Sequence, residues 1–381
     1  MTVDEEPPAA SPSGVPGIDV ARLAGWLARE LRFGAIGAIE LIAGGRSNLT
    51  YAITLDGGRR IVLRRPPLGH VQPTAHDMGR EYRVLTALGD GTAVPVPRTL
   101  AFCADEDVIG APFYLMDHVE GRVLRTREDA ADLTPERARG LSEALAEALA
   151  AIHTVDVEAA GLDGFGRPSG YMRRQLARWG KQWDGSQAAI RATGNVRDLP
   201  EYDRLVERLA GRLPPDDLDD DPGGSGSGRR GASPQRARLV HGDFRLDNAL
   251  VRLEPRPGIA AVVDWEMSTL GDPLSDLGLT LVYWAEAADA GELPVGATIT
   301  SAPGFFTRRE FTDRYAALTG FDLADLDFYV AFACFKLAVI LEGIHARYLQ
   351  KATVGEGFDQ IGGGVPLLLE RAHRTLDTGT L

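Results

Sequence analysis

Lysine is nearly absent from this chain. Lys181, Lys336 and Lys351 are the only lysines among 41 basic residues, and none occurs in the first 180 positions. A cationic role in the N-terminal part therefore falls to arginine, whose planar guanidinium is not equivalent to an ammonium. Acidic residues also outnumber basic ones, which gives a formal net charge of −13. Broad binding to nucleic acid or to an anionic membrane needs a basic footprint, so we expect neither partner.

Cysteine and export signals are equally scarce. Cys103 and Cys334 are the only cysteines, too few for a disulfide framework and at no metal-binding spacing. Residues 1–16 are acidic and rich in Pro and Ser, unlike a secretory signal, and we predict a disordered tail there. The longest apolar run, 328–341, is interrupted by Lys336 and is shorter than the roughly 20 residues of a membrane span. These features predict a buried helix at 328–341 and a cytoplasmic protein.

What is present is typical of a globular chain, with 44% apolar and 25% charged residues in 381 positions. Apolar periodicity predicts helices at 20–31, 74–88, 141–153, 308–318 and 326–349. Short apolar or alternating segments predict strands at 38–43, 49–55, 61–65, 113–119, 239–243 and 259–264. Two of these strands flank Asp56-Gly57-Gly58, which predicts a hairpin. Residues 214–236 have almost no apolar side chains and predict a flexible insert.

The most specific pattern is HGDFRLDN at 241–248, followed 16 residues after Asn248 by Asp264-Trp265-Glu266. Each piece alone suits an ordinary turn. In this order they match phosphoryl transfer from ATP, which needs metal ions on the phosphates and a carboxylate that accepts the proton of the attacking hydroxyl. We therefore predict Asp243 as the catalytic base, with Asn248 and Asp264 as ligands of Mg²⁺.

This H-G-D-x-x-x-x-N and D-W pattern resembles the aminoglycoside and choline phosphotransferases, small-molecule relatives of the protein kinases. The resemblance implies an α+β, bilobal kinase-like fold, with ATP in the cleft between the lobes. A small β-rich, nucleotide-binding N-lobe would cover 17–116, and a larger, mainly helical C-lobe 117–381. It also makes Asp276 and His241 structural supports of the catalytic loop.

The same resemblance assigns nucleotide binding to Gly45, Arg46, Ser47, Asn48, Arg64, Glu81, Asp117, His118 and Val119. The first four form a glycine-rich turn between two predicted strands, where backbone N–H groups can approach phosphate; alone, such a turn is more often a plain hairpin. Arg64 takes the place of the strand lysine that holds the α- and β-phosphates in kinases, and Glu81 on the next helix is its expected partner. The last three positions mark the hinge strand by location rather than by side-chain chemistry.

Several segments resemble one subgroup more narrowly. GGRSNLTYAI, VLRRPPLGHV, LVHGDFRLDN and VVDWEMSTLGDPLSDLG are similar to the kinase-like domain fused ahead of acyl-CoA dehydrogenases and to its stand-alone bacterial relatives. In that subgroup an arginine at the position of Arg64 is usual. The resemblance implies phosphorylation of a hydroxyl on a small molecule, a hydroxyacyl or hydroxyacyl-CoA acceptor. A separate acyl-CoA dehydrogenase would then be a possible partner.

Two other functions remain open at this point. An aminoglycoside or amine-alcohol kinase of the same fold would take a cationic acceptor, which the negative net charge permits. A pseudokinase would bind a nucleotide or a partner without turnover, as the missing lysine allows. The hydroxyacyl kinase predicts an apolar channel with basic residues in the C-lobe, and its candidates are Arg173, Arg174, Arg347 and Lys351.

Overall fold

The computed structural model describes residues 14–42, 48–68, 77–214, 237–289, 298–352, 358 and 360–380. The chain divides into two compact units, one ending at Glu120 and the other beginning at Gly121. The predicted insert at 214–236 lies, apart from its first residue, outside the described part. The predicted tail is described only in its last residues. There Val15 packs against the core of the first unit, and the Pro16 carbonyl accepts a hydrogen bond from Tyr51.

The first unit is built on a five-stranded antiparallel sheet. Its elements are α1 (Val20–Glu30), β1 (Ile36–Leu41), β2 (Leu49–Leu55), β3 (Arg60–Arg65), α2 (Met78–Gly89), β4 (Thr99–Cys103) and β5 (Phe113–Asp117). The strand order is β1-β2-β3-β5-β4. Strands β2 and β3 form the predicted hairpin, and its turn uses positive φ at Gly57 (82°) and Gly58 (84°), which glycine tolerates without steric cost.

Two helices accompany this sheet. Helix α1 starts at the N-cap Asp19 and buries Leu23, Trp26 and Leu27; the Trp26 ring meets the Phe113 ring edge-on at 5.1 Å. Helix α2 starts at the N-cap Asp77, whose side chain accepts a hydrogen bond from a backbone N–H in its first turn. Its buried face carries a carboxylate among apolar side chains, namely Met78, Glu81, Val84, Leu85 and Leu88. A buried acid in that position requires a partner.

The second unit is mainly helical. Its helices are α3 (Pro135–His153), α4 (Tyr171–Ala192), α5 (Pro200–Ala210), α6 (Leu274–Tyr283), α7 (Arg308–Thr319), α8 (Leu326–Leu349) and α9 (Gly364–Thr378). Among the described residues between α5 and α6 are four short strands: β6 (Arg238–Val240), β7 (Ala249–Arg252), β8 (Gly258–Val262) and β9 (Thr269–Gly271). They form two antiparallel pairs, β6 with β9 and β7 with β8. The kinase-like α+β architecture is confirmed.

Helix α8 is the central helix of the second unit. It packs against α4, α6 and α9. In the described part of the chain it is the one helix long and apolar enough to cross a membrane, and 72% of its most apolar window is buried inside the protein, as in a core helix. Gly278 of α6 lies directly against it, since a Cβ added at Gly278 would lie 2.6 Å from the backbone carbonyl of Tyr329. Glycine thus allows α6 and α8 to touch at the backbone.

The division between the units falls a little later than the sequence suggested. Asp117, which the sequence analysis placed at the start of the C-lobe, pairs in register with Ile61 of β3 and ends β5. Its carboxylate also holds Arg59 at 3.1 Å and Arg98 at 2.8 Å. Because Ile61, Arg59 and Arg98 all belong to the first unit, Asp117 at the end of β5 belongs to that unit as well.

Candidate active site

The HGDFRLDN segment is a loop that leaves β6, forms a short helical turn at Leu246–Asn248 and enters β7. The Asn248 amide nitrogen donates to the Asp243 backbone carbonyl at 2.9 Å and to the Asp243 carboxylate Oδ2 at 3.0 Å. Both contacts follow from the five-residue spacing, because the helical turn folds Asn248 back onto the start of the loop. The side chain of Asp243 is thereby held in one orientation.

The β7–β8 hairpin brings the second motif to the first. Ala249 pairs with Val262, and the Val263 N–H donates to the Asn248 carbonyl at 2.9 Å. Asp264 follows directly and adopts the left-handed conformation, with φ 68° and ψ 59°. Such a backbone is uncommon outside glycine, although Asp and Asn tolerate it best. The structure therefore brings together Asp243, Asn248 and Asp264, the three residues that the sequence predicted for phosphoryl transfer.

Asp276, at the start of α6, holds the first two residues of the HGDFRLDN loop. Its carboxylate accepts hydrogen bonds from the backbone N–H groups of His241 (2.6 Å) and Gly242 (2.8 Å), and it faces His153 Nε2 at 3.3 Å. Burial alone would raise the pKa of Asp276, but the hydrogen bond and charge of His153, together with His241, lower it below its usual value. The carboxylate thus stays ionised as a loop anchor, as the family resemblance implies.

His241 ties the loop to the end of β8. Its ring nitrogen Nε2 lies 3.0 Å from the Val263 carbonyl, and its ring packs 4.7 Å from that of Trp265. Trp265 is buried and donates from Nε1 to the Val262 carbonyl at 3.0 Å. His241 and Trp265 therefore act as packing and hydrogen-bonding supports, not as reacting groups.

Gly242 is required by its backbone. Its φ is +88°, and an added Cβ would lie 2.7 Å from both the Cβ and the carbonyl oxygen of Met267. Any other residue would meet a steric penalty from its own conformation and from this neighbour. The glycine of the HGD motif is thus explained by the close approach of the loop to the turn after Asp264.

Sequence reasoning missed Arg245. Its Nε lies 3.5 Å from Asp243 Oδ2, its Nη1 3.5 Å from Asp247 Oδ2, and its guanidinium carbon 4.9 Å from the centre of the Tyr283 ring. Burial alone would lower the pKa of Arg245, but Asp243, Tyr283, Asp247 and Asp264 raise it. A permanent positive charge therefore stands beside the proposed base. Its location within the motif, two residues after Asp243, was the available signal.

Lys336 of α8 was noted in the sequence only as an interruption of an apolar run. Its Nζ donates to the Gly242 carbonyl at 2.8 Å and lies 5.5 Å from the centre of the Trp179 ring. Burial lowers the pKa of Lys336, while the carboxylates of Asp243 and Asp276 oppose that shift. A single charge within the apolar run 328–341 was the signal, because buried charges almost always have a specific partner.

In the first unit, Arg64 and Glu81 form the predicted pair. Arg64 Nε donates to Glu81 Oε2 at 3.0 Å, with the two side chains 11% and 1% exposed. Arg64 Nη1 also lies 3.4 Å from the Thr50 hydroxyl on the neighbouring strand. The arginine thus occupies the strand position predicted for the kinase lysine and meets the expected helix glutamate.

The remaining nucleotide-binding candidates are only partly described. Gly45, Arg46 and Ser47 lie outside the described residues. Asn48 is described, directly precedes β2 and is 1% exposed. The nucleotide-binding role of all four positions therefore stays a prediction.

At the predicted hinge, the Asp117 carboxylate is engaged by Arg59 and Arg98. His118 and Val119 follow the end of β5 and are partly buried. This arrangement agrees with a role of position rather than of side-chain chemistry, since the Asp117 side chain is held by ion pairs within its own unit.

The two residues predicted to bind Mg²⁺ both carry oxygen donors. In the described residues no group of three His, Cys, Asp or Glu is placed to hold a metal. Mg²⁺ bound through nucleotide phosphates needs only one or two protein ligands with hard oxygens. The Asn248 amide and Asp264 carboxylate supply such oxygens, so this pair fits Mg²⁺ and does not resemble a zinc site.

Arg174, one of the four basic residues predicted to line an acceptor channel, instead has a structural role in the loop before α4. The Arg174 guanidinium donates to the backbone carbonyls of Arg167 and Ser169, and it thereby holds the loop that precedes α4. Arg347 and Lys351 are exposed near the end of α8. Two other cations lie near the proposed base, Arg245 at its carboxylate and Lys336 at the adjacent Gly242 carbonyl.

Solved structures share this architecture. A crystal structure of a candidate aminoglycoside phosphotransferase from Ralstonia eutropha is 31% identical, with a TM-score of 0.75 over 94% of this chain and 98% of that chain. The GDP and kanamycin complex of APH(2″)-IIIa has a TM-score of 0.58 and 19% identity, covering 92% of this chain and 98% of that chain. The second likeness shows the fold alone.

Curated relatives are longer proteins. The chain is 35% identical to a candidate acyl-CoA dehydrogenase, IBR3, of Arabidopsis thaliana, over 86% of this chain and 38% of the relative. It is 34% identical to acyl-CoA dehydrogenase family member 11 of Gallus gallus, over 82% of this chain and 37% of the relative. The chain thus spans less than two fifths of each. The profile of the phosphotransferase enzyme family matches residues 38–318. With its motifs assembled in one loop system and its fold shared with a 31% identical structure, the chain belongs to the phosphotransferase enzyme family.

Proposed function

We propose that this protein is an ATP- and Mg²⁺-dependent kinase that phosphorylates the hydroxyl group of a hydroxyacyl acceptor. The observation that carries the proposal is the assembly of Asp243, Asn248 and Asp264 by two hydrogen-bonded loops of one unit. Each of these side chains offers the oxygen chemistry that phosphoryl transfer requires.

In this reaction the oxygen of the acceptor hydroxyl attacks the γ-phosphorus, and ADP leaves. Asp243 accepts the hydroxyl proton, so the new phosphate ester forms without a build-up of charge on the attacking oxygen. Asn248 fixes the orientation of the Asp243 carboxylate through the 3.0 Å hydrogen bond from its amide nitrogen to Asp243 Oδ2. Positioning of this kind accounts for much of the rate enhancement in phosphoryl transfer.

Asn248 and Asp264 would hold Mg²⁺, which neutralises phosphate charge when bound. Arg64, paired with Glu81, would bind the α- and β-phosphates through its guanidinium, as the kinase lysine does. An arginine suits phosphate through bidentate hydrogen bonding. The GDP complex of APH(2″)-IIIa, a protein of the same fold, supports a nucleotide in this role.

The charges around Asp243 favour an acceptor that is not cationic. Arg245 lies 3.5 Å from the Asp243 carboxylate and shares its charge with Asp247, while Lys336 binds the adjacent peptide. A site for an amine-rich aminoglycoside would instead require carboxylates that are not already paired with cations. Arg245 and Lys336 therefore disfavour an amine close to the reacting hydroxyl.

The relatives support an acyl acceptor. Both are named for acyl-CoA dehydrogenase activity, which suggests that the region similar to this chain serves acyl substrates. Phosphorylation turns a hydroxyl into a leaving group that a later elimination can expel. A separate acyl-CoA dehydrogenase is the corresponding partner proposed for this chain.

The test incubates the purified protein with MgATP and a panel of hydroxyacyl-CoAs, free hydroxy acids, choline-like amines and aminoglycosides. Mass spectrometry then detects a phosphoryl gain on each acceptor. We expect a phosphorylated hydroxyacyl species with the natural chain and none with Asp243→Asn, which should still bind nucleotide. Phosphorylation of an amine-bearing acceptor alone would replace the hydroxyacyl proposal with the aminoglycoside or amine-alcohol alternative. Nucleotide binding without any phosphorylated product would favour a pseudokinase.

A further inference from the structure

Gly242, the residue before the proposed base, is held at both its N–H and its carbonyl. The Gly242 N–H donates to Asp276 Oδ1 at 2.8 Å, and the Gly242 carbonyl accepts from Lys336 Nζ at 2.8 Å. One residue thus bonds to a buried anion through its donor and to a cation through its acceptor. The Gly242–Asp243 peptide carries this carbonyl at one side and the Asp243 N–H, which donates to His241 Nδ1 at 3.3 Å, at the other, so the Lys336 contact helps to fix its plane.

Both partners lie on helices whose separation is fixed. Asp276 belongs to the first turn of α6 and Lys336 to the middle of α8. The two helices meet backbone to backbone where Gly278 contacts Tyr329. The Tyr329 hydroxyl in turn donates to Asp272, just before α6, at 2.6 Å. A carbonyl bonded to so rigid a support has little freedom to rotate.

The Lys336 ammonium is restrained on its other side as well. Its nitrogen stands 5.5 Å from the centre of the Trp179 ring, within the range of a cation–π contact. Trp179 is itself buried on α4. Three elements, α4, α8 and the catalytic loop, therefore meet at this nitrogen.

Packing alone does not explain a lysine here. The flanking residues of α8, Phe335 and Leu337, are buried apolar side chains, and an apolar residue would fill the same volume without the cost of desolvating a charge. The lysine instead directs its charged end at the loop that carries Asp243. In a chain with only three lysines, one of them thus donates to a single carbonyl of this loop.

We propose that Lys336 is a positioning residue of the phosphotransfer site, which acts by holding the Gly242 carbonyl and thereby aiming the Asp243 carboxylate. This inference rests on the proposed kinase activity and adds to it a residue outside the HGD and DWE motifs. Lys336 does not exchange a proton with substrate in this role. Its loss should therefore slow the chemical step and leave nucleotide and acceptor binding nearly unchanged.

The experiment compares three variants in steady-state kinetics, with the acceptor that the panel identifies. Lys336→Met removes the donor and keeps the length of the side chain, whereas Lys336→Arg keeps a charged donor. Lys181→Met, at an exposed lysine of α4, is the matched control. Circular dichroism and the affinity for ATP establish that each variant is folded.

We expect kcat to fall by about 10- to 100-fold in Lys336→Met, the size of effect that a misplaced catalytic group produces. KM for acceptor and nucleotide should stay within about threefold, since Lys336 contacts neither in this proposal. Lys336→Arg should recover most of the lost kcat, and Lys181→Met should match the natural chain.

Three results would overturn the inference. These are an unchanged kcat in Lys336→Met, a rise in acceptor KM with kcat preserved, and equal losses in the Met and Arg variants when both are folded. If Lys336→Met does not fold, the Arg variant still decides, because a folded Arg variant without recovered kcat contradicts a role for the carbonyl bond. The natural chain separates the two levels of proposal: if it phosphorylates nothing, the proposed function fails, whereas turnover that does not depend on Lys336 removes only this inference.

Discussion

Glu81 on helix α2 receives a hydrogen bond from Arg64 on strand β3, with 3.0 Å between Oε2 and Nε and only 1% of the Glu81 side chain exposed. A lysine in the same place would offer a point charge, whereas arginine offers further N–H groups beyond the one spent on Glu81. The pair is therefore a buried contact, and in the proposed function the same guanidinium binds the nucleotide phosphates.

Removal of Arg64 should cost much more than removal of both partners. In Arg64→Met the Glu81 carboxylate stays buried without its cation, so we expect the free energy of unfolding to fall by about 3–5 kcal/mol. The double variant with Glu81→Met should regain most of this loss, since two apolar side chains can pack together. Urea denaturation of the single and double variants measures both quantities. Additive losses would mean that Arg64 and Glu81 are not energetically coupled.

Gly242→Ala should be far more damaging than a substitution at another positive-φ glycine of the same unit. At Gly320, φ is 68° and nothing lies near the added Cβ, so Gly320→Ala should cost only the strain of about 1–2 kcal/mol. At Gly242 the 2.7 Å approach to Met267 adds overpacking of about 1–3 kcal/mol. Thermal denaturation should show a lower Tm for Gly242→Ala than for Gly320→Ala. Phosphotransfer assays should show a loss of activity in Gly242→Ala alone. Equal Tm values in the two variants would contradict the contact.

Asp264→Asn should separate metal binding from folding. Asparagine tolerates the left-handed backbone that Asp264 adopts, so the Tm should change little. The substitution removes one hard anionic ligand, and we expect the Mg²⁺ concentration for half-maximal activity to rise by at least about tenfold. A Mg²⁺ titration at saturating ATP is the measurement, with Asp322→Asn, an acid in the loop between α7 and α8, as the control. An unchanged Mg²⁺ dependence would remove Asp264 from the ligand set.

Asp276 should contribute to stability in a defined pH range. Its folded pKa lies below the ordinary value of 3.8, so the unfolded chain takes up the proton first as the pH falls. The contribution is therefore complete above about pH 5 and is lost as the pH drops through the ordinary value toward the folded one. Asp276→Asn should lower the free energy of unfolding by about 1.5–3 kcal/mol at pH 6.

That deficit relative to the natural chain should shrink as the pH is lowered from about 5 to 3, which urea titrations at stepped pH would detect. Asp313→Asn provides the control, because Asp313 is 72% exposed and its ion pair with Arg309, 3.8 Å long, lies on the surface of α7. A deficit that stays constant down to pH 3 would show that the Asp276 carboxylate does not titrate with folding.

Much of the fold and the central motif residues could be predicted from local patterns. The β2–β3 hairpin follows from Gly57 and Gly58, and helix α8 from a long apolar run. Asp243, Asn248 and Asp264 were identified because motif spacing along the chain is preserved in the loop that they form. Arg64 and Glu81 were paired by the resemblance to kinases, in which a strand lysine meets a glutamate of the next helix, and the two side chains are in contact.

What was missed depends on contacts between distant segments. Helices α4, α5 and α9 carry many polar residues, and their burial is decided by partners elsewhere in the chain. The hydrogen bond from Lys336 to the Gly242 carbonyl joins residues 94 positions apart, so no local sequence pattern contains it. Lys336 could only be noted as an anomaly, because its partner is a backbone carbonyl and leaves no trace in residue type.

Gly278 acquires a meaning that its position in the middle of α6 does not suggest. It sets the spacing between the helix that carries Asp276 and the helix that carries Lys336. A larger side chain at Gly278 would push Asp276 and Lys336, the two residues that bond to Gly242, apart. It would do so without touching any residue of the HGD motif. The distance between these two core helices would therefore help to determine the geometry of the proposed catalytic loop.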